Sequence, residues 1–168
     1  MPDPSGAALS VAGLFAERDA IRRRDQEAEA QLQKRKEEEL HEFKKRLDDF
    51  QLTETVIHST LDKIKRAFEH GETELMVVSF PSSFCTDNGR AISNAGVAPI
   101  NKPTEAEIAA HPDPDWLHTM PAGVLPVYHY WRDHLRPGGF HLIARIIDYP
   151  GGKPGDVGLF FSWPKDAQ

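Results

Sequence analysis

Phe140-His141-Leu142-Ile143-Ala144-Arg145-Ile146-Ile147-Asp148-Tyr149, then Pro150-Gly151-Gly152-Lys153-Pro154-Gly155, then Val157-Gly158-Leu159-Phe160-Phe161-Ser162-Trp163 is the stretch that decides the fold. Two runs rich in β-branched and aromatic residues bracket a run of turn formers, which predicts an antiparallel hairpin over 140–163. The loop glycines supply positive φ for the turn. A second reading is that they let backbone approach a ligand.

Working outward, Gly123 to Arg136 predicts a helix that presents Leu125, Val127, Tyr128, Trp131 and Leu135 to a sheet, and Pro137-Gly138-Gly139 stops it. Tyr128, Tyr130, Trp131 and His134 would also suit base stacking or a pocket wall, but packing alone accounts for them. Farther upstream, Thr73 to Phe80 has a continuous apolar middle and two valines, read as a strand buried on both faces and closed by Pro81. Before it, Thr53 is an N-cap and Glu54 sits in a first turn. Val56, Ile57, Leu61, Ile64 and Phe68 form one face, and Gly71 takes a left-handed C-cap, giving a helix over 54–70.

Eleven of the thirteen prolines lie at or after Pro81, so residues 82–122 are expected to be irregular. Short helices are expected there at Arg90–Asn94 and Lys102–Ile108. The whole predicts an α+β fold: a long N-terminal helix, coiled-coil-like, followed by a small three-stranded antiparallel or mixed sheet packed with two helices. No internal repeat is present, and the order of elements points to no family from which a function could be carried over.

The N-terminal third reads differently. Residues 1–13 are small and Pro/Gly-bearing and are expected to be disordered. From Leu14 to Phe50 there is neither Pro nor Gly, and Ala, Glu, Gln, Lys, Arg and Leu dominate. A helical arm over 14–52 follows, with one helix at about 14–50. Leu40, Phe43, Leu47 and Phe50 step by 3, 4 and 3, an apolar seam. Upstream, Ile21, Ala28 and Leu32 mark the same stripe, interrupted by Arg18, Asp25 and Lys36. An uncovered ridge of that kind is an aggregation hazard. Either it packs against helix 54–70 or it meets helices of other chains, and the second expectation is preferred because the 53–168 domain is small.

Composition narrows the function classes. The 168 residues carry 20 Lys/Arg against 26 Asp/Glu, a net charge of −6. Binding to nucleic-acid backbone rests on excess Lys and Arg, so nucleic acid is not expected as a partner, and the basic run Arg22-Arg23-Arg24 is offset by nearby acids. No apolar run approaches the roughly 18 residues of a membrane span, and the start lacks the pattern of a secretory leader. The one cysteine, Cys85, excludes an intrachain disulfide and a multi-cysteine metal site, so a reducing cytoplasm is the expected compartment.

Ser82-Ser83-Phe84-Cys85-Thr86-Asp87-Asn88-Gly89-Arg90 is the segment most suggestive of chemistry. Hydroxyls, a glycine backbone and a guanidinium after a strand can cradle an anion. The candidate ligand set is Ser82, Ser83, Cys85, Thr86, Asp87 and Arg90. The alternative is a loop held by its own Asx and Ser/Thr turns. Cys85 would need a nearby His and a depressed pKa to act as a nucleophile. His111, His118, His129, His134 and His141 lack metal-site spacing. No catalytic residue, metal or cofactor is therefore expected. The leading expectation is a non-enzymatic interaction or assembly protein. It would self-associate or dock on a helical partner through Leu40, Phe43, Leu47 and Phe50. A small anionic-ligand-binding protein or enzyme built on the 82–90 loop is the alternative.

Overall fold

A computed structural model describes residues 9–95, 106 and 113–166. The expected helix at 102–108, apart from residue 106, lies outside the described residues, as does His111. The chain divides into two compact units, Met1–Phe43 and Lys44–Gln168. Helix α1 spans Val11–Asp48. It starts three residues earlier than expected because Ser10 caps it, its Oγ accepting from the Gly13 N–H at 3.0 Å.

The second unit has the predicted α+β order. Helix α2, Glu54–Glu69, begins at Thr53, whose side chain accepts from the Val56 N–H. It ends on Gly71 at φ +79°, where the Gly71 and Glu72 N–H groups close back on the carbonyls of Phe68 and Ala67. Strand β1 is Glu74–Pro81, and short helix α3 is Arg90–Ala95. Helix α4, Val124–Tyr130, runs into a π turn at Trp131–Leu135. Strands β2, His141–Ile146, and β3, Asp156–Ser162, form the expected hairpin.

The sheet order is β1-β3-β2, antiparallel throughout. This corrects one expectation. The strand buried on both faces is β3, with Val157 to Phe161 all buried, whereas β1 is an edge strand with only Phe80 fully buried. The apolar run in β1 has another cause: a bulge between Met76 and Val78. The extra residue breaks the alternation, so Val77 packs with Leu75 on the core around Phe161, while Met76 stays half exposed.

Two helical faces also differ from expectation. On α2 the buried residues are Ile64 and Ala67, and Phe68 is 61% exposed. On α4 Val124 is buried and Leu125 is exposed. The inward row is Val124, Tyr128 and, across the π turn, Leu135. Val124, Tyr128 and Leu135 step by 4 and 7, ordinary helical spacing, and Leu125 lies one position off that row.

Trp163 is the clasp at the end of β3. Its backbone N–H donates to Thr73 O and its indole N–H to Glu72 O, and its ring meets Phe140 edge-on at 6.1 Å. On the sheet face away from α2, Arg145 makes a two-pronged pair with Glu74 (2.9 and 2.6 Å) and lies 3.9 Å from the Phe160 ring centre. Phe160 is thus covered by a charged side chain rather than by an apolar layer.

Within the second unit, the last turn of α1 is locked in place. Leu47 is buried, and Asp48 accepts from the Ala122 N–H at 3.1 Å. Gly123 meets this turn backbone to backbone: a Cβ there would overlap the carbonyl oxygen of Leu47. Its own φ of −66° is ordinary, so the glycine is required by close approach alone. Gly123→Ala is expected to lower stability by about 1–3 kcal/mol, the usual cost of overpacking. Gly138→Ala, whose Cβ meets nothing nearer than 3.8 Å, is expected to be neutral or slightly stabilising. Denaturant melts of the two variants check this, and equal midpoints would contradict it.

The Glu74–Arg145 pair carries a pH signature. The Arg145 hydrogen bond, opposed by burial, holds the Glu74 carboxyl below its ordinary value. A depressed carboxylate pKa contributes stability above the unfolded-state value and loses it as pH falls through the folded one. Both side chains are about two-fifths exposed, so the contribution is at most about 1 kcal/mol. Arg145→Met keeps the stem over Phe160 and removes the charge. Its melting temperature should approach that of wild type as pH falls from 5 to 3; a constant offset across that range would contradict the assignment.

Candidate functional site

The Ser82–Arg90 segment follows β1 as a 3-10 turn, Ser82–Phe84, and leads into α3. Ser82 is buried, its Oγ donating to Pro154 O (2.9 Å) and its N–H to Gly155 O (2.9 Å). Asp87 caps α3, one oxygen accepting from the Gly89 N–H and the other from the Ala91 N–H. Gly89, at φ +81°, sits on Ser82 and Ile146, where a Cβ would come within 3.1 and 3.3 Å. Ser83, Thr86 and Arg90 are exposed.

The two loops singled out for chemistry, 82–90 and 148–156, are therefore bonded to one another. Asp148 stabilises the second from within, accepting from the Asp156 N–H at 2.7 Å, and Ser93 Oγ lies 3.3 Å from the Tyr149 hydroxyl. Among the described residues no buried side-chain nitrogen or oxygen lacks a hydrogen-bond partner. Ser82 and Asp87 thus use their polar groups to hold the loops.

Cys85 is 3% exposed. Burial, then the nearby Asp87 carboxylate, pushes its thiol up to about 11 despite a hydrogen bond with Thr119. A nucleophilic cysteine needs the opposite shift. Tyr128, also fully buried, donates to Asp113 Oδ1 at 2.7 Å, and burial with that contact raises its phenol to about 12. Its ring is a core element that ties down the chain at residue 113. Among the described residues no group of three or more His, Cys, Asp or Glu is arranged to hold a metal ion.

The four seam residues are divided by the structure. Leu47 is buried in the second unit and Phe50 is half-buried there, facing Leu52, Val56, Ile57 and Val127. In the first unit Phe43 is half-buried and Leu40 is 44% exposed. Upstream on the same helix Val11, Leu14, Ile21 and Leu32 are all exposed. The apolar stripe left open therefore lies mainly upstream of the four residues picked from spacing. Arg18 lies against the Phe15 ring, 4.7 Å from its centre, and pairs with Asp19.

One surface was not read from the sequence. An open apolar groove of about 430 Å³ runs beside α2, lined by Ile64, Phe68, Phe140 and Trp163 with Lys65 and Lys165 among the flanking charges. The placement of Phe68 outside the core face creates it. Spacing alone put Phe68 inside, so the only available signal pointed the wrong way.

Among the described residues no helix is long and apolar enough to cross a membrane. For Cys85, the expected outcome is resistance to alkylation at pH 8 in the native state and prompt labelling in denaturant, followed by intact mass. Fast native labelling would contradict its burial and raised pKa. No family model matches the chain, and comparisons with curated proteins and with solved structures return no match, so a functional reading rests on the geometry alone.

Proposed function

We propose that the protein is a non-enzymatic assembly module of the cytoplasm, in which α1 self-associates with helices of other copies and the α+β body is the part so assembled. One observation carries this reading. Along α1 the apolar residues Val11, Leu14, Ile21, Leu32 and Leu40 recur at helical spacing and are each between 44 and 69% exposed. The body has a core around Phe161 and leaves scattered apolar residues such as Phe68 and Met76 in the open, without the repeating spacing of the α1 stripe.

A helix gains most of its stability from packing an apolar face, not from propensity alone. Fully burying a leucine or isoleucine contributes about 1.5–3 kcal/mol, so shielding this stripe is a large favourable term. The side chains around it are charged and of both signs, the pattern of a helix that meets its partner along a narrow seam. The cytoplasmic assignment is supported by the single, buried cysteine.

The test uses the full chain. Sedimentation equilibrium at about 50 μM should give a mass above the 18.9 kDa of one chain. A variant with Leu14→Asp, Ile21→Asp and Leu32→Asp should fall to 18.9 kDa with an unchanged near-UV spectrum, because none of the three belongs to the buried core. A monomeric wild type, or a variant of undiminished mass, would overturn the reading.

A further inference from the structure

Resting on that reading, we propose that the helix engaged by α1 is the same segment of a second copy, parallel and in register, over Val11–Leu32. The exposed stripe there has the period of a two-stranded coiled coil. Val11, Leu14, Arg18, Ile21, Asp25, Ala28 and Leu32 step by 3, 4, 3, 4, 3 and 4, three complete heptads. Beyond Leu32 the steps widen to 4 and 4 through Lys36 to Leu40, which unwinds a supercoil locally. The pairing is accordingly confined to the upstream part.

Charge selects the partner and its direction. In a parallel, in-register pair, the residue just before the first inner position of each heptad (here Arg18 and Asp25) faces the residue five places farther along the other copy. Glu17 then faces Arg22 of the second copy, and Arg24 faces Glu29, each contact occurring twice by symmetry. Both pairings are attractive. The charged inner positions set Arg18 against Arg18 and Asp25 against Asp25, and each like-charged layer is flanked by the opposite charge from the other copy, Glu17 beside Arg18 and Arg24 beside Asp25. Arg18 can leave the seam, since its guanidinium already lies over Phe15 and bonds Asp19.

An antiparallel pair that sets Leu14 against Leu32 does the reverse. It brings Arg22 to Arg22 and Arg24 to Arg24, like charges at close range. Charged residues at inner positions lower stability and specify register, so the pairing is expected to be specific and moderate in strength.

The test keeps the seam intact and inverts only its flanks, in the full chain. One variant carries Glu17→Arg with Arg24→Glu; the other carries Arg22→Glu with Glu29→Arg. In the parallel arrangement each variant alone faces like charges at all four flank contacts, and an equimolar mixture faces opposite charges at all four. The apparent dissociation constant of each variant alone should rise at least about ten-fold. Mixing should recover most of that loss, short of wild type because the side chains introduced by Glu17→Arg and Arg24→Glu in one variant then lie beside Arg18 and Asp25 of the other. Recovery on mixing excludes misfolding as the cause. If wild type and both variants associate equally, while the triple aspartate variant is monomeric, the parallel register is overturned and the assembly reading stands. If wild type is monomeric, both fall.

Discussion

The second unit depends on the burial of one strand. β3 is paired on both edges, and Val157 to Phe161 are shielded from water on both faces. Leu159 and Phe161 meet the helices with their partners Ala144 and Leu142 of β2 and Val78 and Leu75 of β1. On the opposite face Gly158 leaves room for Phe160 and Ile147, which stand where a Cβ would come within 3 Å of each. Trp163 ties the end of the strand to the α2–β1 turn. The order β1-β3-β2 follows, since the strand with the most apolar surface takes the central place.

What that core leaves uncovered is informative. Leu47 and Leu40 are seven residues apart on one stripe of one helix, yet Leu47 is 8% exposed and Leu40 is 44%. The last turn of α1 is held by Asp48 and by the absence of a side chain at Gly123. Upstream, the apolar residues face solvent, while the polar loops of the body are already bonded to one another. Apolar surface stays open both on the arm and at the groove beside α2, and it is the heptad spacing of the arm's stripe that directs the functional reading there.

Much of this fold was legible in the residues. The hairpin followed from two β-rich runs and a six-residue turn, and the ends of α2 from Thr53 and Gly71. The misplacements have separate causes. A bulge at Met76/Val78 changes the local period of β1, and pattern reading assumes a constant one, so β1 reads as doubly buried. Phe68 and Leu125 lie on regular helical turns, each one position past a buried residue (Ala67, Val124), where spacing alone does not decide burial. The 82–90 loop illustrates a different limit. Ser, Asp and Gly serve a turn and an anion site equally well, and the partner that decides for Ser82 is Pro154, 72 residues away. Gly123 is similar: its role is set by the Leu47 carbonyl, a contact no local pattern encodes.

The stripe on α1 either stands in water or is covered by another helix, and amide hydrogen exchange separates these states directly. The account predicts that amides of residues 14–32 exchange slowly and that their protection grows as protein concentration is raised, while amides of β3 show protection independent of concentration. Rapid exchange along 14–32 that is the same at every concentration would contradict it.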